Sequence, residues 1–221
     1  MTVGKRKTVI VLSGGLDSTT LLYHLIDEGH EVKAISADYD QRHTRELEFA
    51  AEQCALCNIE HRIIDLRSLT PIFSSSSLTN SSLQIPSGEY QDGTIQLTTV
   101  PNRNMIFLSI AIGWAINLKF NAVAFGAHAS LTTNYPDCTV EFAQAMDATA
   151  QTCDWSQIRV LSPFIEWSKG DIVRRGLELG VPYALTWSCY EGTASPCGKC
   201  STCIDRHQAF AFCHAKDPLN I

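Results

Sequence analysis

A glycine-rich turn close to the start of the chain has the composition of an anion-binding site. Residues 8–20 read TVIVLSGGLDSTT, so a short apolar run ends at Ser-Gly-Gly and is followed by Asp-Ser-Thr-Thr. An apolar run closed by turn residues indicates a buried strand, and Asp17 or Ser18 before the next apolar stretch is typical of a helix N-cap. Glycines let backbone N–H groups approach a ligand, and the helix N-terminus adds about half a positive charge. The turn therefore predicts a phosphate site.

This turn differs from two common nucleotide-binding motifs. A Walker A loop requires G-x-x-x-x-G-K-[ST] and a dinucleotide-binding turn requires G-x-G-x-x-G, and the sequence contains neither. The motif here is S-G-G-x-D-S-T, in which the carboxylate of Asp17 could hold a magnesium ion. The alternative is a capped strand-to-helix turn without a ligand. The glycine pair and the hydroxyl run together favour the ligand-binding interpretation.

Four of the nine cysteines are grouped near the C-terminus with the spacing of a metal site. Their pattern is C-x7-C-x2-C-x2-C. Four thiolates with two short steps suit a closed tetrahedral zinc site, and a closed site leaves no position for a reacting water, so the ion would be structural. Unrelated core or redox cysteines are the alternative. The four residues are Cys189, Cys197, Cys200 and Cys203.

Composition predicts a protein that works on a small molecule. The chain has 221 residues, of which 45% are hydrophobic, and a formal net charge of −6. It shows no basic face for nucleic acid, no signal peptide and no apolar run long enough for a membrane span. We therefore expect a soluble cytoplasmic protein, in which thiols stay reduced. Four cysteines outside the C-terminal group, Cys54, Cys57, Cys153 and Cys213, are predicted to be core residues.

Predicted strands and helices alternate along the chain. This alternation predicts an α/β fold with a doubly wound parallel sheet. Residues 66–99, crowded with Ser, Thr, Gly and Pro, are expected to form a long loop that buries too little apolar surface to order itself. We divide the chain into an α/β domain, residues 1–186, and a zinc-binding segment, residues 187–221, packed on the same domain. The predicted strands cover 8–12, 31–37, 59–65, 122–127 and 158–161, and the predicted helices cover 18–28, 43–57, 102–120, 139–152, 168–179 and the residues after Cys203.

Polar residues follow three of the predicted strands, where an open parallel sheet binds its ligands. These segments are residues 13–18, 37–43 and 126–138. Lys169 and Arg103 each open a predicted helix, a position that disfavours a cation unless it faces an anion. A solvated surface lysine is the alternative for Lys169. We therefore expect a single crevice that binds phosphate.

In this order the motifs SGGLDSTT, DYDQRH, VPNRN, YPDC, TWSCY and CGKCSTC resemble those of the 7-cyano-7-deazaguanine synthases, a family of PP-loop ATP pyrophosphatases. The resemblance runs from about residue 8 to residue 210. It implies an adenine nucleotide α-hydrolase-like fold, ATP and Mg²⁺, a structural zinc ion and a homodimer. It also implies that 7-carboxy-7-deazaguanine and ammonia become the nitrile through acyl-adenylate and amide intermediates, with release of AMP and pyrophosphate. Free ammonium is the expected nitrogen source, since the chain leaves no room for a glutaminase-like domain.

The resemblance also implies residue roles. Asp17, Lys169 and Arg103 would be catalytic. His128 could contact substrate or be an ordinary packed histidine. The residues implied for ATP are Ser13, Gly14, Gly15, Leu16, Asp17, Ser18, Thr19, Gln41, Arg42 and His43, and those implied for the deazapurine are Asn104, His128, Tyr135, Asp137 and Glu141.

Departures from the family pattern leave the acceptor open. Leu131 stands where an Asp is usual, and Thr139 with Val140 stands where an Arg is usual after Cys138. One alternative is a diverged ligase that couples a deazapurine carboxylate to another amine, on a protein or nucleic acid. A second is a PP-loop tRNA thiolation enzyme, against which the acidic balance and the grouped cysteines argue. A third is a nucleotide-binding module without turnover.

Overall fold

Five parallel strands form the centre of the computed structural model, which describes residues 6–90, 92–128 and 135–221. The strand order is β3-β2-β1-β4-β5, and every neighbouring pair is parallel. The predicted doubly wound sheet is therefore confirmed. The strands are β1 (Lys7–Val11), β2 (Glu31–Asp38), β3 (His61–Asp65), β4 (Ala122–Phe125) and β5 (Arg159–Leu161).

Helices cover both faces of the sheet because alternate residues of each strand point to opposite sides. On β1, Ile10 packs with α1, α2, α6 and α7, whereas Val9 packs with α4 and α5. No helix of the described residues is long and apolar enough to cross a membrane. The helices are α1 (Leu16–Asp27), α2 (Arg45–Leu56), α3 (Asp92–Thr98), α4 (Arg103–Asn117), α5 (Val140–Ala150), α6 (Lys169–Glu178) and α7 (Ser201–Phe212).

The start of α1 differs from the prediction. Gly15 is the N-cap, and neither Asp17 nor Ser18 caps the helix. The Ser18 hydroxyl instead lies 3.2 Å from the backbone N of Ser13 and 2.9 Å from its Oγ, inside the turn. The predicted capping role was wrong because that hydroxyl closes the turn.

Residues 66–99 are more ordered than expected. The segment contains a 3₁₀ helix, Arg67–Phe73, and α3. Phe73 and Leu78 are buried against Tyr39, which follows β2, and Val100 completes the cluster. A few large apolar side chains therefore order a segment whose average composition predicted a loop.

The C-terminal residues pack tightly on the sheet domain. Arg206 and Asp217 form a buried ion pair at 2.8 Å, and Arg206 also donates to the carbonyl oxygen of Tyr183 at 3.0 Å. The backbone N of Trp187 donates to the carbonyl oxygen of Gly14 at 3.1 Å. Division of the chain after residue 186 stays a prediction, and the hydrogen bonds from Arg206 to Tyr183 and from Trp187 to Gly14 cross that boundary.

Three of the four cysteines that were predicted to lie in the core do pack there. Cys54 is buried, and Cys57 and Cys213 pack against the same cluster. The prediction for Cys153 was wrong, because this residue follows the end of α5 and is exposed. Its thiol donates to the carbonyl oxygen of Thr149.

Gly14 and Gly29 provide a test of how closely the turn after β1 packs. Both have a left-handed backbone, with φ of 81° and 79°. A Cβ at Gly14 would overlap the carbonyl oxygen of Glu46, whereas a Cβ at Gly29 would meet nothing within 4 Å. We expect Gly29→Ala to cost about 1 kcal/mol of unfolding free energy and Gly14→Ala more than about 3 kcal/mol, because overpacking adds to backbone strain. Urea unfolding measures both, and equal losses would contradict this account.

Candidate functional site

A cavity of about 260 Å³ lies at the carboxyl ends of β1, β2 and β4. This is where the order of an open parallel sheet reverses, since β2 and β4 lie on opposite sides of β1. The structure brings many of the predicted site residues into one wall. They are Ser13, Gly15, Leu16, Asp17, Ser18, Gln41, His43, Arg103, Asn104, His128, Tyr135 and Lys169.

The turn after β1 is held in shape by its own hydroxyl groups. The backbone N of Gly15 donates to Ser13 Oγ at 3.2 Å, and Ser13 Oγ contacts Ser18 Oγ. Gly126 lies directly against the first turn of α1, where a Cβ would stand 3.1 Å from the backbone N of Ser18. The first turn of α1 therefore faces the cavity as a preformed cradle for an anion.

Lys169 and Asp17 form the charged centre of the cavity. Lys169 Nζ lies 3.4 Å from Asp17 Oδ2 and 3.9 Å from Asp205 Oδ2, and His128 Nε2 lies 3.7 Å from Asp17. Burial opposes the charge on Lys169, but the two carboxylates outweigh it and raise the pKa of the lysine. Asp17 Oδ1 is buried and has no hydrogen-bond partner among the described residues. This free oxygen fits a ligand of a hard divalent cation.

A capping box fixes the position of Lys169 at the start of α6. Ser168 Oγ accepts from the backbone N of Asp171 at 3.1 Å, and the Asp171 carboxylate accepts from the backbone N of Ser168 at 3.1 Å. The predicted helix start is therefore confirmed. It directs the lysine toward the turn after β1.

Arg103 and Asn104 reach the cavity from the start of α4. Burial opposes the charge on Arg103, but Tyr39 and Asp137 outweigh it and raise the pKa of the guanidinium. Asp137 accepts from the backbone N of Asn104 at 3.1 Å, and its carbonyl oxygen accepts from Asn104 Nδ2 at 2.9 Å. Asp137 therefore supports Asn104 from behind the cavity wall.

Four other predicted ligand residues also lie outside the wall. Gly14 packs against α2, and Thr19 is fully buried below the turn. The Arg42 guanidinium donates to two carbonyl oxygens of the 66–99 segment. Glu141 is exposed in the first turn of α5. Their expected contacts with ligand stay predictions.

The departures from the family pattern are partly visible. Leu131 lies outside the described residues. Thr139 caps α5, since its hydroxyl accepts from the backbone N of Phe142 at 3.2 Å, and Val140 is the first residue of that helix. Position 139 therefore has a local helix-capping role.

The wall also contains residues that the sequence interpretation missed, among them Glu46, Tyr90, Tyr190 and Asp205. Glu46 could have been found, since it lies one helical turn after the polar segment that follows β2. Tyr90 comes from the segment that was expected to form a long loop, so no local pattern pointed to it.

His43 and Glu46 form a largely buried pair in which burial suppresses both charges. Their side chains approach to 3.5 Å. Burial, with a smaller contribution from nearby Arg103, lowers the pKa of His43 to about 4. Burial raises the pKa of Glu46 to about 8, although Arg103 opposes this rise. Near pH 7 the imidazole is therefore neutral and the carboxyl group is mostly protonated, so the contact joins two neutral groups.

The four C-terminal cysteines form a cluster that could bind a metal ion. Their sulfur atoms all lie within 4.8 Å of one another, and Cys197 Sγ is 4.0 Å from Cys203 Sγ. A tetrahedral zinc site with bonds of about 2.3 Å would place the sulfurs about 3.8 Å apart. The Cys189 sulfur also accepts from the backbone N of Cys197 at 3.3 Å. Donor set and spacing both fit a closed metal site.

Comparisons with known proteins point to one family. The model of the family described as queuosine biosynthesis protein QueC matches residues 7–214. The chain is 45% identical to the 7-cyano-7-deazaguanine synthase of Caldicellulosiruptor saccharolyticus, covering 96% of this chain and 94% of that protein. It is 46% identical to the 7-cyano-7-deazaguanine synthase of Methanoregula boonei, covering 96% and 98%.

Solved structures share the fold at lower sequence identity. The NMN synthetase of Francisella tularensis superposes with a TM-score of 0.52 at 18% identity, covering 88% of this chain and 71% of that chain. A predicted subunit of tRNA methyltransferase from Methanocaldococcus jannaschii gives a TM-score of 0.51 at 13% identity, covering 78% and 75%. At these identities the likeness concerns the fold alone.

The raised pKa of Glu46 predicts a pH dependence of stability. Because the folded state keeps this proton up to about pH 8 and the unfolded state releases it near pH 4.5, the stabilisation is complete below pH 4.5 and is lost as pH rises through 8. Between pH 5 and 8 the wild type should lose up to about 1.4 kcal/mol per pH unit relative to Glu46→Gln. Urea unfolding at several pH values measures this. Glu48→Gln, exposed on the same helix, is the control, and parallel curves for wild type and Glu46→Gln would refute the assignment.

Proposed function

Since the chain belongs to the QueC family of 7-cyano-7-deazaguanine synthases, we propose that it converts 7-carboxy-7-deazaguanine and ammonia to 7-cyano-7-deazaguanine at the expense of ATP. The observation that carries this proposal is sequence identity of 45–46% over 96% of the chain. The charged cavity at the switch point of the sheet supports it. The product is a precursor in queuosine biosynthesis.

The reaction proceeds by two adenylations in one cavity. A carboxylate oxygen of the substrate attacks the α-phosphorus of ATP and pyrophosphate leaves. Ammonia then attacks the acyl carbon, AMP leaves with the oxygen, and loss of a proton gives the amide. The amide oxygen attacks a second ATP in the same way, and departure of AMP with loss of two protons from nitrogen gives the nitrile. Positioning and charge stabilisation suffice, and no covalent bond to the protein is required.

Each charged residue of the cavity has a role in this scheme. The turn at residues 13–18 binds the pyrophosphate through backbone N–H groups. Lys169 neutralises charge that develops on the leaving group, and Arg103 pairs with phosphate or the substrate carboxylate. Asp17 would hold Mg²⁺ through its free oxygen, and this ion would supply further neutralisation of phosphate charge. The pairing of Asp17 with Lys169 at 3.4 Å supports a common role at the phosphates.

Several further features belong to the same proposal. The four-cysteine cluster holds a structural zinc ion, and ammonium supplies the nitrogen. A cytoplasmic location is supported by the nine cysteines, none of which forms a disulfide bond in the described part of the chain. A homodimer is proposed from the family resemblance, and the half-exposed Met105 of α4 is one apolar residue that its interface would cover.

The alternatives are not favoured. A ligase that couples the deazapurine to another amine would share the ATP site, but the curated relatives are named synthases across nearly the whole chain. A tRNA thiolation enzyme would need a basic surface, whereas the net charge is −6. A binding module without turnover would have little use for Asp17, Lys169 and Arg103 around a leaving group.

Product analysis tests the proposed reaction. With 7-carboxy-7-deazaguanine, ATP, Mg²⁺ and ammonium, mass spectrometry should detect the nitrile together with AMP. Asp17→Ala should lower AMP formation at least about 100-fold, because it removes the carboxylate that would hold Mg²⁺ at the reacting phosphates and that pairs with Lys169. Its melting temperature should stay close to that of the wild type.

The control is Asp154→Ala, which removes a partly exposed carboxylate outside the cavity. AMP formation without nitrile in the wild type would favour the diverged ligase. Near-normal turnover by Asp17→Ala would remove Asp17 from the mechanism.

Metal removal tests the cysteine cluster. Elemental analysis should find about one zinc ion per chain, and chelation or Cys200→Ser should lower the melting temperature by more than about 10 °C, because metal-coupled folding energy is lost. The tail after residue 186 should also become sensitive to protease. Cys153→Ser, at an exposed cysteine, should change neither property. An unchanged melting curve after zinc removal would contradict a structural role.

A further inference from the structure

Three tyrosine hydroxyl groups from distant parts of the chain meet in the cavity wall. Tyr90 precedes α3, Tyr135 follows β4 and Tyr190 follows the first cysteine of the cluster. The hydroxyl oxygens of Tyr90 and Tyr190 are 3.0 Å apart, and those of Tyr190 and Tyr135 are 3.4 Å apart. Tyr135 continues the chain to Thr98 Oγ1 at 2.8 Å. We call these three residues the tyrosine wall.

Each contact between two of these hydroxyl groups uses one hydroxyl proton, and either oxygen of a pair can be its donor. Thr98 Oγ1 also lies 3.1 Å from the carbonyl oxygen of Ile95. Each phenol has a single proton but more than one lone pair. Because the three contacts use three hydroxyl protons in either direction, the wall presents more lone pairs than protons to a ligand.

The rings of the wall are arranged to hold a planar group. Tyr90 and Tyr135 are perpendicular, with centroids 6.1 Å apart at 87°. The Tyr190 ring lies 6.0 Å from His43 at 44°. All three tyrosines are partly exposed, as they must be to touch a ligand in the cavity. Aromatic faces and edges bind flat heterocycles with little loss of side-chain entropy.

The cysteine cluster positions two of the three tyrosines. Tyr190 is bonded directly to Cys189. The segment that carries Tyr90 is attached to the cluster by an antiparallel bridge between Ser87 and Cys200 and by the backbone N of Gly88, which donates to the carbonyl oxygen of Lys199 at 2.8 Å. A rigid cluster therefore holds these two phenols in fixed positions beside the proposed ATP site.

We infer that Tyr90, Tyr135 and Tyr190 form the subsite for the heterocycle of the acceptor and select a guanine-like edge by accepting its N–H hydrogen bonds. This inference rests on the proposed function. The family resemblance implied deazapurine contact for Tyr135, and the structure adds Tyr90 and Tyr190. The 2-amino-4-oxo ring of such an acceptor presents N1–H and 2-amino donors, which match a wall of acceptors. The charged groups at Asp17, Lys169 and Arg103 are then left for phosphate and carboxylate.

Binding measurements on single variants test the subsite. Tyr90→Phe and Tyr190→Phe keep the ring and remove the hydroxyl. By calorimetry, each should raise the Kd of 7-carboxy-7-deazaguanine roughly 5- to 10-fold, as expected for one lost hydrogen bond. The Kd of α,β-methylene-ATP should stay within about twofold. Tyr23→Phe is the matched control, because its part-buried hydroxyl donates to Gln53 outside the cavity, and it should change neither Kd.

An analogue that lacks the 2-amino group sharpens the test. If a hydroxyl of the wall accepts a hydrogen bond from this amino group, removing either partner breaks the same bond. The losses of binding free energy from the Phe substitution and from the missing amino group should then be less than additive in at least one variant. Three results would overturn the inference. They are full additivity in both variants, equal loss of binding of the deazapurine and of the ATP analogue, and an unchanged Kd for the deazapurine. If the wild type binds both ligands and the Phe variants bind them equally well, the subsite is refuted but the proposed function stays intact. A wild type that binds the ATP analogue but no deazapurine would overturn both.

Discussion

The contact between Asp17 and Lys169 is the constraint on which the site depends. It joins the first turn of α1 to the first residue of α6, two elements that are more than 150 residues apart in the chain. Taking both charges out of water is costly, and a single pair barely compensates for it. Asp205 adds a second carboxylate beside the lysine, so the group carries an excess of negative charge. A bound cation at the free Asp17 oxygen would balance this excess, which links the stability of the site to its ligand.

The rest of the fold holds these two helix starts in register. Gly14 allows α2 to approach the turn, and its carbonyl oxygen accepts from Trp187, so the turn is clamped between α2 and the C-terminal residues. The buried Arg206 guanidinium pairs with Asp217 and also donates to Thr186 Oγ1 and to the carbonyl oxygen of Tyr183, and these last two bonds fasten α7 to the sheet domain. The C-terminal residues and the sheet domain therefore form one site together, and the cysteine cluster helps to position the C-terminal part of it.

Local patterns were sufficient for the parts of the site that are set by neighbours in sequence. Short sequence motifs predicted three parts of the site: the turn after β1, the helix starts at Arg103 and Lys169, and the four-cysteine cluster. A cation at a helix start, or cysteines two residues apart, are unusual enough to be recognised without knowledge of the fold. Glu46, Tyr90 and Asp205 were missed because tertiary packing brings them to the cavity. Residues 66–99 were expected to form a long loop with too little apolar surface to order itself, because their average composition concealed Phe73 and Leu78, which pack on Tyr39.

The proposed reaction explains why the cavity has a charged part and a neutral part. The acceptor is an anion in the first adenylation and a neutral amide in the second. A site that bound it only through its carboxylate would therefore lose it after the first step. The ring edge does not change between the two steps. In the proposed subsite, neutral phenols would hold this edge and bind both forms with similar strength, while Arg103 and Lys169 would respond to the charge that changes. Recognition at the unchanged end of the molecule would therefore let one cavity perform both adenylations without exchanging its substrate.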